Sequence, residues 1–132
     1  MRLCFDIDNT ITFWDEGRDY ENFKPYQPMV DKINQLYDEG HEITLYTARG
    51  MTSVGPGRIG SEILPSLVKN LEKIGLKYHH LLTHKPYYDF IIDDKALTPE
   101  EFLSSDVNSL TQRGLYEAFK NWYVWTSVYW NQ

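Results

Sequence analysis

The sequence predicts an α/β fold with a mainly parallel sheet, and three observations carry that expectation. Short apolar segments of strand character alternate with amphipathic segments at helical spacing. Glycine and proline punctuate the boundaries between them. Reactive side-chain types fall just after the strand segments, where open α/β sheets bind their ligands.

The elements follow in order. Leu3-Cys4-Phe5-Asp6-Ile7 reads as a buried strand that delivers Asp6 and Asp8 into a loop. Phe13 to Tyr26 mix charge and aromatics without a period and are expected to form a loop or short flap. Pro28 suits a first helical turn, Met29, Val30, Ile33, Leu36 and Tyr37 recur at helical spacing, and Gly40 suits the stop. Glu42-Ile43-Thr44-Leu45-Tyr46 is a second strand, ending at Thr47-Ala48-Arg49-Gly50. A glycine-rich loop from Gly50 to Gly60 precedes Ile63, Leu64, Leu67, Val68, Leu71 and Ile74, the apolar stripe of a second helix ending at Gly75. Pro65 either kinks that helix or marks its start. Tyr78 to Thr83 is a candidate third strand, and Phe90-Ile91-Ile92, ending at Asp93-Asp94, a candidate fourth. Thr98-Pro99-Glu100-Glu101 has the cap, first-turn proline and capping-box glutamate of a short helix. From about Leu110 an aromatic C-terminal helix is expected, carrying Tyr116, Phe119, Trp122, Tyr123, Trp125, Tyr129 and Trp130.

At 132 residues the chain has the length of one domain, taken as 1–132. A formal net charge of -6 argues against a general nucleic-acid binder, whose affinity comes from Lys and Arg. The single cysteine, Cys4, excludes an internal disulfide and a thiolate zinc cluster, and a reducing, cytoplasmic setting is expected. No apolar run approaches the roughly 18 residues of a membrane span, and the acidic motif interrupts the N-terminal run before it could act as a signal peptide. The chain is therefore expected to begin at Met1 without a leader.

If the sheet is parallel, Asp6, Asp8, Thr47, Lys85, Asp93 and Asp94 converge on one edge. Several carboxylates together need a cation to relieve their repulsion. A hydroxyl and an ammonium suit the oxygens of a phosphoryl group. Each residue alone has an ordinary reading: the acidic pairs as solvated turns, Thr47 as a strand residue, Lys85 as a surface lysine before a proline. Their joint order favours a site for magnesium and an anionic phosphoryl group. His79, His80 and His84 lack a metal-ligand spacing. Arg49 and Arg58 flank the glycine-rich loop, as ligands of a substrate anion or as solvated side chains. That loop lacks the Gly-Lys-Ser/Thr ending of a nucleotide-triphosphate cradle. The aromatic C-terminal stripe reads as core packing or as a homo-oligomer interface.

In this arrangement the chain resembles the haloacid dehalogenase (HAD) superfamily of phosphoryl-transfer enzymes. Phe5-Asp6-Ile7-Asp8-Asn9-Thr10-Ile11-Thr12 resembles the first motif, Leu45-Tyr46-Thr47 the second, Lys85 the third and Ile91-Ile92-Asp93-Asp94 the fourth. More narrowly, Thr47-Ala48-Arg49-Gly50 and the run from Lys85 to Ala96 are similar to small, capless capsule-polysaccharide biosynthesis phosphatases. The resemblance implies a three-layer α/β/α Rossmann-like sheet. The 34 residues from Phe13 to Tyr46 and the 37 between Thr47 and Lys85 leave no room for a full cap domain.

The resemblance also implies roles. Asp6 is the nucleophile that becomes an aspartyl phosphate, and Asp8 is the acid and base. Thr47 and Lys85 steady the transferring group. Magnesium is held by Asp6, by Asp8 through its carbonyl, and by Asp93. Asp94 binds the metal directly, binds through water, or orients Lys85. Asn9, Ala48, Arg49 and Arg58 complete the candidate substrate-binding set. The expected substrate is a phosphorylated sugar or related metabolite, with no nucleic-acid or membrane partner. A nucleotide or polynucleotide-end phosphatase uses the same chemistry. A receiver-like signalling domain shares the residue types, but it places its aspartate on a middle strand, where this chain offers Thr47. A binding-only domain is the remaining alternative.

Overall fold

In the computed structural model, residues 1–13 and 23–106 are described. The chain divides into two compact units, Met1–Tyr88 and Asp89–Gln132. The aromatic segment expected to be helical from about Leu110, and all of the expected flap between Phe13 and Phe23, lie outside the described residues.

In the first unit a three-stranded parallel sheet is built from β1 (Arg2–Phe5), β4 (Glu42–Tyr46) and β5 (His80–Leu82), in the order β1-β4-β5. Two further short strands, β2 (Thr12–Phe13) and β3 (Lys24–Pro25), pair antiparallel. The fold is thus α/β with a mainly parallel sheet. Register places Phe5 beside Leu45 and Leu45 beside Leu81, so the strands run level. Their carboxyl ends share one edge, and Asp6, Thr47 and Lys85 follow from that edge.

The first helix, α1 (Gln27–Asp38), begins at an extended Tyr26 with a proline in its first turn. Its apolar stripe buries Met29, Val30, Ile33 and Leu36, each contributing about 1.5–3 kcal/mol as an upper estimate. It stops where Gly40 takes φ +96°. The Gly40 N–H donates to the Tyr37 carbonyl (3.1 Å) and the His41 N–H to that of Leu36 (3.0 Å), closing a Schellman motif.

Next comes a 3₁₀ turn (Pro56–Arg58), then α2 (Ile59–Glu62) and α3 (Leu64–Lys73). The glycine-rich segment therefore carries more order than a loop reading implies. Pro65 lies in the first turn of α3, so it starts a helix rather than kinking one. Leu67 and Leu71 are buried along its inner side. The candidate third strand is shorter than Tyr78 to Thr83 because only His80–Leu82 have ladder partners on β4.

In the second unit Thr98 caps α4 (Pro99–Leu103) through the expected capping box. Its Oγ1 accepts from the Glu101 N–H (3.1 Å), and its own N–H donates to Glu101 Oε1 (3.2 Å). Phe90-Ile91-Ile92, expected as a fourth strand, is not one among the described residues. A strand exists only with a partner for its backbone groups. A parallel partner requires a crossover of a dozen or more residues, and only residues 83–89 separate β5 from Phe90.

Candidate active site

The loop after β1 is built around one carbonyl. The N–H groups of Thr10, Ile11 and Thr12 all point to the Ile7 oxygen, at 3.2, 2.9 and 3.1 Å. Ile7, Ile11 and Thr12 are fully buried. Between these anchors Asn9 takes φ +62°, a conformation that asparagine tolerates better than most residues. Its N–H donates to the Thr12 carbonyl (2.8 Å) and so is spent inside the loop. The turn holds Asp6 and Asp8 at the sheet edge.

The two carboxylates meet different partners. Asp6 Oδ1 accepts from the Ile7 N–H (2.9 Å) and lies 3.6 Å from Lys85 Nζ. The Lys85 contact is longer than a hydrogen bond, so it compensates the Asp6 charge in part. Burial holds the Asp6 carboxyl above the usual carboxylate range; Lys85 and the Ile7 N–H pull the other way, and the Asp8 charge adds to the rise. Lys85 is raised as well. Burial works against its charge, but the Tyr88 hydroxyl and Asp6 outweigh it, and the ammonium stands 5.2 Å from the Tyr88 ring centre.

Asp8 instead pairs with Arg49. The Arg49 Nε–H donates to Asp8 Oδ2 (3.3 Å) and Nη2 to Oδ1, a fork-to-fork contact. Arg49 is buried and its guanidinium lies 5.0 Å from the Phe23 ring centre. Its backbone N–H donates to the Thr47 hydroxyl oxygen (3.0 Å), which leaves the buried Thr47 its own proton to donate. The Lys85 N–H donates to the Thr47 carbonyl (3.1 Å), tying the third position to the second. Gly50 takes φ +88°, a region closed to most side chains, while Ile59 and Ile63 press against it.

Asp6, Asp8, Thr47, Arg49 and Lys85 therefore form one linked constellation in the first unit. Ala48 lies inside it, its carbonyl accepting from the Met51 N–H (3.0 Å). Arg58 does not join: it is exposed and pairs with Glu62 one helical turn on. In the second unit Asp93 Oδ1 accepts from the Lys95 N–H (2.9 Å), which holds this exposed carboxyl below the usual range, and Asp94 is exposed too. Among the described residues of Met1–Tyr88, no three His, Cys, Asp or Glu side chains gather as a metal-holding group. The histidines take other duties. His79 Nδ1 accepts from the Ile43 N–H (3.0 Å), and His84, with φ +66°, bonds the Pro56 carbonyl (2.9 Å).

Two roles had no signal in the sequence. Arg49 as the clamp of Asp8 depends on a contact across 41 positions, and Tyr88 beside Lys85 shows no pattern in composition or spacing.

Fold and site define an α/β protein whose acid, base and hydroxyl groups meet beyond the carboxyl ends of a parallel sheet. No family model and no curated protein matches the chain. Among solved structures it is similar to a Vibrio cholerae protein whose crystal structure is described only as that of a target. The TM-score is 0.80 and the identity 31%, over 88% of this chain and 98% of that one. The chain belongs to the family of that Vibrio cholerae protein. No helix among the described residues is long and apolar enough to cross a membrane.

Proposed function

We propose that the protein is a magnesium-dependent phosphatase of the haloacid dehalogenase superfamily, a single three-layer α/β/α domain without a cap. In this reading it acts in the cytoplasm on a phosphorylated sugar or related metabolite of capsule-polysaccharide biosynthesis. One observation carries the reading: the partly compensated Asp6 carboxylate faces the Lys85 ammonium at 3.6 Å, at the edge that Thr47 also occupies.

Asp6 attacks phosphorus and takes the phosphoryl group as an aspartyl phosphate, splitting a very slow hydrolysis into two easier steps. Lys85 and the Thr47 hydroxyl donate to the equatorial oxygens, where charge collects in a loose transition state. Asp8, ionised while both its oxygens accept from Arg49, first takes up a proton from solvent, gives it to the leaving oxygen and later regains one from the attacking water. Arg49 is the positioning residue for Asp8.

Magnesium fits the donors. Asp6 is a desolvated oxygen ligand short of positive charge, and hard cations prefer oxygen. Asp6, the Asp8 carbonyl, Asp93 and Asp94 would hold the ion. When bound it supplies further charge stabilisation to the phosphoryl oxygens.

The test is hydrolysis of p-nitrophenyl phosphate with and without magnesium. Turnover is expected only with the metal, and Asp6→Asn is expected to lower it by at least about 10⁴-fold, as loss of a nucleophile does. Full turnover by Asp6→Asn would refute the assignment.

A further inference from the structure

We propose that His84 is a positioning residue for Lys85: its left-handed backbone builds a one-residue bulge at the end of β5 that aims the Lys85 ammonium at Asp6, and its ring holds the bulge in place. That the ammonium serves phosphoryl transfer rests on the phosphatase reading; the bulge does not.

The ladder between β4 and β5 shows the extra residue. The Thr47 N–H donates to the Leu82 carbonyl (3.0 Å). In a regular parallel ladder the next bond comes from two positions further on, so the Thr47 carbonyl would accept from the His84 N–H. It accepts from the Lys85 N–H instead (3.1 Å). Thr83 and His84 thus occupy the place of a single residue, and His84 takes φ +66° to fit. Bulges of this kind occur beside active sites, where they re-aim a side chain. The consequence here is a change of face. Side chains alternate along a strand, so one inserted residue sends those that follow to the other side. Lys85 takes the place that the regular ladder gives to residue 84, and its Nζ stands 3.6 Å from Asp6 Oδ1.

The conformation is uncommon, and it is held. Among the described residues Asn9 and His84 are the non-glycine residues at positive φ, and each directly follows or precedes a site residue, Asp8 or Lys85. Such strain persists only where the surroundings over-determine it. The His84 ring does so: Nδ1 bonds the Thr83 hydroxyl at 2.8 Å, and Nε2 donates to the Pro56 carbonyl at 2.9 Å. Pro56 is a firm support. Beside it the Gly55 N–H donates to the Gly50 carbonyl (2.9 Å), and Ile59, three residues on, is fully buried. This 3₁₀ turn belongs to the segment that leaves β4 through Thr47 and Arg49, so the ring ties the Lys85 position to the Thr47 position a second time. His84 is exposed and adds little to the core, which separates its effect on the site from an effect on stability.

The test pairs turnover with binding. With p-nitrophenyl phosphate and magnesium, His84→Ala is expected to lower kcat about 10–100-fold, as small misplacements of a reacting group do. His84→Gly, to which positive φ is open, is expected to fall between His84→Ala and the wild type. Inorganic phosphate, titrated calorimetrically in magnesium, is expected to bind His84→Ala at least about fivefold more weakly than the wild type. It is expected to bind Lys85→Ala and Lys85→Ala/His84→Ala equally, because His84 acts through Lys85. Wild-type turnover and affinity in His84→Ala, equal losses in the alanine and glycine variants, or a further loss in the double variant would each overturn the proposal. Should circular dichroism show His84→Ala unfolded, His84→Gly carries the binding comparison in both backgrounds. A wild-type protein that shows this binding pattern but is inert to aryl phosphate overturns the phosphatase reading and leaves the positioning standing. One that neither binds nor turns over overturns both.

Discussion

Gly50→Ala tests how the turn after β4 is seated. A methyl group at Gly50 would lie 2.7 Å from Ile63 Cγ1 and 3.1 Å from Ile59 Cγ1, and the backbone there has φ +88°. Two costs arise. The left-handed conformation costs a non-glycine residue about 1–2 kcal/mol, of which about 0.4–1 is recovered through the less flexible unfolded chain. Forcing the methyl into packed isoleucines adds about 1–3 kcal/mol. Gly40→Ala isolates the first cost, since Gly40 has φ +96° and nothing within 4 Å of its added carbon. Gly40→Ala is then expected to lose about 1 kcal/mol and Gly50→Ala about 2–4 kcal/mol. Urea unfolding followed by circular dichroism separates them: with a slope of about 2 kcal/mol per molar, the Gly50 variant unfolds about 1 M earlier than the Gly40 variant. Equal midpoints would refute the packing argument and show that Ile59 and Ile63 yield without cost.

Arg49→Met leaves the Asp8 carboxylate, 22% exposed, without its clamp, and is expected to cost about 2–3 kcal/mol, below the full penalty for a buried pair. Arg58→Met, which breaks a solvated pair on α2, is expected to cost at most about 0.5 kcal/mol; equal losses in urea would sink the distinction. Asp6 binds its proton more tightly folded than unfolded, so it favours the fold below the ordinary carboxylate pKa and opposes it once pH rises through the folded value. Asp6→Asn is therefore expected to raise Tm at pH 7 in chelator, with the gain shrinking towards pH 3. A lower Tm at pH 7 would contradict the burial argument.

The parts of the fold legible in the sequence are those fixed by local pattern. Met29, Val30, Ile33 and Leu36 mark α1 by period, Gly40 ends it, and Thr98 with Glu101 caps α4. Ile43 and Leu45, buried in alternation, mark β4. Long-range pairing was not legible. The short β2–β3 pair joins residues a dozen positions apart, and the order within the 50–60 segment comes from Ile59 packing under Gly50. The same limit explains Phe90–Ile92: composition gives strand character, but only topology shows whether the chain can bring that strand to a partner.

The site divides in the same way. Spacing alone made Asp6 and Asp8 a pair of like groups, and their partners separate them. Arg49 answers Asp8 with two donors, whereas Lys85 stands at 3.6 Å from Asp6, too far for a full hydrogen bond. A fully clamped carboxylate is held in place; a desolvated and partly compensated one keeps affinity for a further positive centre. This asymmetry supports the proposed role of Asp6 as the group that meets magnesium and phosphorus. The proposed metal draws on the same balance: in the first unit the two carboxylates are already matched by two basic groups, so on the phosphatase reading a divalent cation needs the further carboxylates proposed for it.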